Sequence, residues 1–400
     1  MSQVYAALEI GTTRTVLALG EAVEGGRLKV ICHAEVPSTG VRKSQILDIN
    51  QATQSIRVVL SKSERLQSEM GSSISIGNVV LLVSGQHVKT DFFQGTARLE
   101  GDRVTQDDID EVIRTSRQMS LPRGRELLDI VDQAYGLDNF QGIESPKGMS
   151  GSVLKLDTIQ ISADENRIND ARTAAEAAHL EIREPLFAAT CAAEATLSEH
   201  EKRDGALVLD LGGGSTGYAA YGDGHLLATG VIGVGGDHIT NDIAHAFQPT
   251  QAQAEALKIN EASAVFSADG MPARVRIGGN SALMETRTIS RRALDTVVNA
   301  RCRELIEIIR YTLEYHNLSQ NLHSGVILTG GGAALKGLDA LMQHELGMNV
   351  KIGRPIQIDG LDDDPHPEAL AAISGALLYS LQNFEEKSIF QTIFGVFKKK

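Results

Sequence analysis

Cysteine is scarce in this sequence: Cys32, Cys191 and Cys302 are odd in number and far apart. They form no CxxC pair and no metal-ligand spacing, so the reading is of buried, inert thiols in a reducing cytosol rather than a disulfide framework or zinc module. The eleven histidines are scattered and include no HExxH, which argues against a metalloenzyme. Positive charge is also in deficit, with 38 Lys and Arg against 51 Asp and Glu and a net charge of −13. With no basic stripe to offset that charge, no nucleic-acid partner is expected. No apolar run approaches the roughly 20 residues that cross a bilayer. No signal peptide precedes the first strand pattern, so the expectation is a soluble or peripheral protein.

Glycine, by contrast, is placed with purpose. Three stretches read as an apolar strand running into a small-residue loop: Tyr5–Gly20, Ala206–Gly224 and Gly325–Leu338. In the first two an acid, Glu9 or Asp210, stands one residue away from the glycine turn, and a second apolar strand follows. Such a hairpin can turn backbone amides toward a phosphate, because glycine lacks a Cβ and Ser or Thr adds hydroxyl donors. The neighbouring acid suits a cation held mainly through water. Two such hairpins and a third glycine turn point to duplicated α/β halves around one nucleotide.

At 400 residues the chain exceeds one compact core, so two to four subdomains are expected. The pattern predicts a strand at Leu28–Val36 and a helix near Ile49–Leu66, with a strand at Val79–Ser84. Shorter elements follow to Ser162, among them a charged helix near Gln106–Met119 with Thr105 as N-cap and Asp107 and Asp108 at its positive end. Helices are predicted at Asn166–His179 and Glu184–Ser198. The Asp237–Asn317 block is mostly helical, broken by a strand-like interval around Ala273–Ala282. Its long helix, Ser290–Asn317, carries Leu294, Val297, Val298, Leu305, Ile308 and Ile309 near helical spacing. A strand near Val350–Ile352 and a helix at Pro367–Leu381 complete the set.

With its three glycine elements in order, the chain resembles the actin, Hsp70 and sugar-kinase superfamily, whose two phosphate motifs and adenosine motif they match. Within it the chain is similar to the FtsA family of bacterial cell-division proteins. The segments LVSGQHVKT, VTQDDIDEVIRTSRQ and GIESPKGMSG resemble that family's 1C insertion, and VILTGGGAALKGL matches its adenosine motif. The implied fold is an α/β, actin-like two-lobed ATPase with duplicated RNase H-like halves and an FtsA-type insertion. Its implied parts are subdomain 1A at 1–83 and 164–200, the 1C insertion at 84–163, and 2A at 201–236 and 311–365. Subdomain 2B takes 237–310, a return helix 366–384, and a C-terminal amphipathic membrane-targeting helix 385–400.

The same resemblance implies ATP and Mg2+. Gly11, Thr12, Thr13 and Arg14 fall in the first phosphate loop, Gly212, Gly213, Gly214, Ser215 and Thr216 in the second, and Gly330, Gly331 and Gly332 in the adenosine turn. Asp210 and Glu9 are the candidates for the magnesium sphere. Glu255 and Lys258, one helical turn apart, resemble ribose and adenine contacts, or form a surface ion pair. Two departures bear on catalysis: Glu9 replaces a usual Asp, and Gly217 stands where the second motif usually continues with Asp. Glu194 is the candidate to orient a water, or a solvated helix-face acid. ATP binding with slow or negligible hydrolysis is expected.

The terminus Lys387–Lys400 repeats Ile389, Ile393 and Phe397 at four-residue spacing, as it does Phe390 and Phe394, and ends in Lys398, Lys399 and Lys400. A helix of about 20 Å suits the plane of a membrane rather than a crossing. Each buried apolar side chain contributes at most roughly 1.5–3 kcal/mol, and each lysine near anionic lipid on the order of 1 kcal/mol. The alternative is a last helix packed on the body. Tethers in this family are often long and disordered, whereas here barely ten residues follow Leu378.

The implied role is a peripheral adaptor on the cytoplasmic face of the cell membrane at the division site. It would bind the C-terminal tail of FtsZ, polymerise with itself head to tail, and meet other division proteins. Arg291, Arg292 and Arg301 are the tail-binding candidates, since a planar guanidinium pairs with carboxylates. The alternatives are a PilM-like scaffold of another envelope machine and a sugar-kinase-type phosphotransferase.

Overall fold

Two sheets carry the molecule, and they are wired alike. In the first, strands Arg27–Pro37, Arg14–Val23, Val4–Ile10, Asn78–Val83 and Glu181–Phe187 lie side by side, with the short Ile358–Asp359 strand beyond Arg27–Pro37. In the second the order is His225–Ile232, Thr216–Gly222, Ala206–Leu211, Gly325–Thr329 and Val350–Ile352. Each lobe opens with three antiparallel strands and adds two parallel ones on the other side of its first strand. The structure, a computed structural model, describes residues 3–23, 25–118, 121–266, 273–277 and 287–395, with only the backbone from residue 384 onward.

Register gives the two acids equivalent seats. Glu9 pairs with Val16 across its hairpin and with Leu82 on its parallel side, while Asp210 pairs with Gly217 and Thr329. Buried Leu8 and Leu17 in one sheet, and Leu209 and Leu328 in the other, fix that register, because a slip of one residue would exchange core and cleft faces.

Between the lobes' first elements sits an insertion with its own core. Its sheet runs Lys89–Arg98, Val153–Asp164, Arg125–Leu137, Phe140–Ile143, and the helix Gln106–Arg117 packs on it through Val112. That helix begins at the expected N-cap, Thr105, which forms a capping box with Asp108.

The expected helix at Glu184–Ser198 is instead split. Glu181–Phe187 is a strand and the helix is Ala188–Thr196. Parallel pairing with Asn78–Val83 captures the first half, at a sheet edge where a register shift between Ile182 and Pro185 accommodates the proline.

The helix Ala188–Thr196 then joins the lobes. One core cluster contains its alanines, Ala206, Val208 and Ala219 of the second sheet, and Ala371–Leu381 of the last helix. Small residues permit this: a Cβ on Gly375 would overlap the Cys191 carbonyl oxygen. The last helix follows a 3-10 turn at Pro367–Leu370 and runs as unbroken helical backbone over Ala371–Gly395.

Candidate nucleotide site

The two phosphate hairpins repeat one turn. Gly11 N donates to Arg14 O at 3.0 Å, and Gly212 N donates to Ser215 O at 3.0 Å. The loops face each other across the cleft. A Cβ on Gly213 would overlap Thr13 Oγ1, and one on Gly214 would lie 2.6 Å from Thr12 Oγ1. Among the described residues, the amides of Thr12, Thr13, Gly213 and Gly214 have no hydrogen-bond acceptor, which leaves them available to a ligand. Thr216 is different: it is fully buried and donates its hydroxyl to Val234 O at 2.7 Å, so it braces the loop instead of lining it.

Glu9 and Asp210 stand near the ends of the strands that lead into these loops, close enough for the Glu9 charge to act on Asp210. Burial pushes the Asp210 carboxyl up to about 7, repulsion from Glu9 adds to that, and Arg14 opposes it. Glu9 is raised for the same first reason, burial, with Arg14 lowering and Glu35 raising it. Two half-buried acids, one of them raised by the other's charge, next to free amides form a donor set that fits a phosphate chain with a divalent cation. The adenosine turn closes on the same point. Gly330 has φ +80, donates to Glu368 O at 3.0 Å, and would drive a Cβ into Asp210 Oδ1. Gly332 abuts Leu211, whereas Gly331 faces open space.

Arg14 is not turned to the phosphate loops. Its guanidinium bonds Glu35 at 2.7 Å and Ala369 O at 2.5 Å, tying the first loop to the start of the last helix. Glu255 and Lys258 pair at 2.7 Å, and Lys258 Nζ reaches Gly236 O at 3.3 Å. They adjoin the second loop, since Gly236 N donates to Gly212 O at 3.0 Å. The residue that sequence reasoning missed is Asp237. Its amide bonds Gly213 O at 2.8 Å, and its carboxylate comes close to Thr13 of the other lobe, since a Cβ on Gly213 would overlap Thr13 Oγ1 and lie 3.2 Å from Asp237 Oδ1. Burial raises its pKa and Lys258 opposes this. The signal was present in VGGDHIT, a glycine pair followed by an acid at a helix start.

Other candidates lie apart from the loops. Glu194 accepts from Lys202 at 2.8 Å and from the Tyr221 hydroxyl at 3.2 Å. Arg291 is buried and binds Glu261 through its carbonyl at 2.7 Å and its carboxylate at 2.5 Å, a structural role. Arg301 is held by Asp242 at 2.6 and 3.0 Å and by Glu304. Arg292 remains exposed, its guanidinium 5.7 Å over the ring of exposed Phe266. Ile389, Phe390, Ile393 and Phe394 fall on helical backbone whose side chains lie outside the description, and Phe397, Lys398, Lys399 and Lys400 lie outside the described residues.

Comparison with known proteins decides the family. The family model for the SHS2 domain inserted in FtsA matches residues 85–162, the insertion described above, and that for cell division protein FtsA matches residues 207–374. The chain belongs to the FtsA family. FtsA of Escherichia coli K12 is 28% identical over 386 residues, covering 94% of this chain and 90% of the relative. FtsA of Bacillus subtilis 168 is also 28% identical, over 94% of this chain and 84% of the relative. Among solved structures, the PilM–PilN type IV pilus biogenesis complex superposes with a TM-score of 0.66 at 18% identity, covering 94% of this chain and 98% of the other. MreB5 of Spiroplasma citri bound to ADP gives 0.56 at 15% identity, over 98% of each chain. The fold is thus the actin-like α/β ATPase fold with the FtsA insertion, and the protein is a cell-division protein. Among the described residues no helix is long and apolar enough to cross a membrane.

Proposed function

We propose that this FtsA-family chain binds ATP with Mg2+, polymerises, and tethers FtsZ to the cytoplasmic membrane through its last helix. The observation that carries the reading is the pair of facing phosphate hairpins whose cleft is wired to the root of that helix. Glu368 O receives Gly330 N, and Ala369 O receives Arg14. Backbone amides would hold the phosphates, Asp210 and Glu9 the cation through water, and the bound cation would neutralise the paired acids. Gly217 brings no carboxylate and Glu194 is engaged elsewhere, which supports slow turnover, well below the roughly 1–100 s⁻¹ of kinases.

The apolar repeat from Ile389 to Phe397 and the terminal lysines support membrane attachment, individually weak and strengthened by assembly. Arg292 beside Phe266 is the best-presented contact for an acidic FtsZ tail. Co-sedimentation with anionic liposomes tests the reading. The full chain is expected to pellet with lipid and to carry an FtsZ-tail peptide with it, and a chain ending at residue 388 is expected to stay in the supernatant. Equal pelleting of both chains would defeat the tether. The likeness to PilM is one of fold alone.

A further inference from the structure

The hairpin formed by Val41–Arg42 and Gln45–Ile46 has only Lys43 and Ser44 in its turn. Both have positive φ, 50° and 57°. That is the type I′ geometry normally filled by Asn and Gly, and side chains other than these rarely take it twice in succession. Such strain persists where surroundings over-determine it. Here Ser44 N donates to Thr12 Oγ1 at 2.8 Å, and the Ser44 hydroxyl lies 3.5 Å from those of Thr12 and Ser84. On the far side of the cleft, Lys43 Cα is 3.0 Å from the point a Cβ on Gly214 would occupy. A strained turn therefore wedges a lysine between the two phosphate loops.

Lys43 is exposed and makes no hydrogen bond or ion pair with a described residue. Two other cations near the loops are committed, Arg14 to Glu35 and Ala369, Lys258 to Glu255. An ammonium on a flexible four-carbon stem serves as a point charge for a terminal phosphate. The same turn touches the insertion at its root, where a Cβ on Gly85 would lie 2.7 Å from Ser44 Cβ.

We propose that this hairpin reads the γ-phosphate: Lys43 distinguishes a nucleoside triphosphate from a diphosphate, and Ser44 passes the difference to the base of the insertion. The inference rests on the nucleotide reading above and adds the residue that makes it state-dependent.

Calorimetric titration of the full chain with MgATP and with MgADP tests it. Lys43→Asn removes the charge while keeping a residue that tolerates the left-handed turn. It is expected to weaken ATP about tenfold or more and leave ADP within about twofold, with Lys43→Arg restoring most of the ATP affinity. Equal losses for both nucleotides, or none, would overturn the role of Lys43. A parent chain that binds neither nucleotide would instead remove the underlying reading. In hydrogen exchange, ATP but not ADP is expected to protect residues 84–88, and Ser44→Gly to abolish that protection while ATP still binds. Protection that survives Ser44→Gly would overturn the relay.

Discussion

Ala189 fills the space beside Gly217: a Cβ on Gly217 would lie 2.8 Å from the Ala189 Cβ. The helix Ala188–Thr196 thus occupies the volume in which a carboxylate at position 217 would begin. Gly217 also stands directly opposite Asp210 in the hairpin register, so an acid there would face a carboxyl already raised to about 7. Gly217→Asp is therefore expected to cost about 3 kcal/mol of stability without tightening Mg2+ binding. Urea midpoints and magnesium titration check both halves, and Ala189→Gly should recover part of the loss. A Gly217→Asp variant as stable as the parent, with a stronger metal site, would show that the missing acid was merely lost.

Asp237 and Thr13 approach each other beside Gly213, one from each lobe. Asp237→Ala should raise the dissociation constant for ATP by about tenfold, the value of roughly one charge-assisted hydrogen bond. Asp237→Asn keeps an acceptor and should stay within about threefold. Matching losses in the two variants would mean that charge, not the inter-lobe contact, is what matters.

Arg292 and Arg301 should separate in a peptide assay. Arg292→Glu is expected to weaken an acidic FtsZ-tail peptide about tenfold with an unchanged melting temperature, because the side chain is exposed and pairs with no carboxylate among the described residues. Arg301→Glu sets a carboxylate against Asp242 and Glu304 and should lower stability by on the order of 1 kcal/mol. Fluorescence anisotropy and thermal melts of both variants distinguish binding from folding effects.

His87 gives the insertion root an acid sensitivity. Burial lowers its pKa from 6.5 to about 4, Arg167 and Arg125 push the same way, and Asp164 opposes them. Between pH 6.5 and 4 the unfolded chain takes up a proton that the folded chain refuses. Its contribution to stability is complete above about 6.5 and declines as pH falls toward 4, by at most about 1.4 kcal/mol per pH unit. His87→Gln should flatten that part of the stability curve. A slope identical to the parent's would assign the acid response to other groups.

Local chemistry made much of this legible. The strand-to-glycine hairpins at Glu9–Gly11 and Asp210–Gly212, the Thr105 cap and the Val350–Ile352 strand all depend on residues close in sequence. What escaped depends on distant partners. Pro185 lies in an edge strand because Leu81 pairs with it, Glu194 is claimed by Tyr221, and Arg301 by Asp242. A charged residue read alone is a candidate ligand. Its actual partner is a matter of which strands and helices pack beside it.

By itself the sequence determined that two glycine-turned hairpins and a third glycine turn would occur, since strand period and the absence of a Cβ are properties of neighbouring residues. Only the tertiary structure decided which amides stay free, which carboxylates are brought near each other, and that the root of the last helix is wired to the cleft. Those outcomes follow from burial and from contacts such as Arg14 to Ala369, 355 positions apart, which no local pattern encodes.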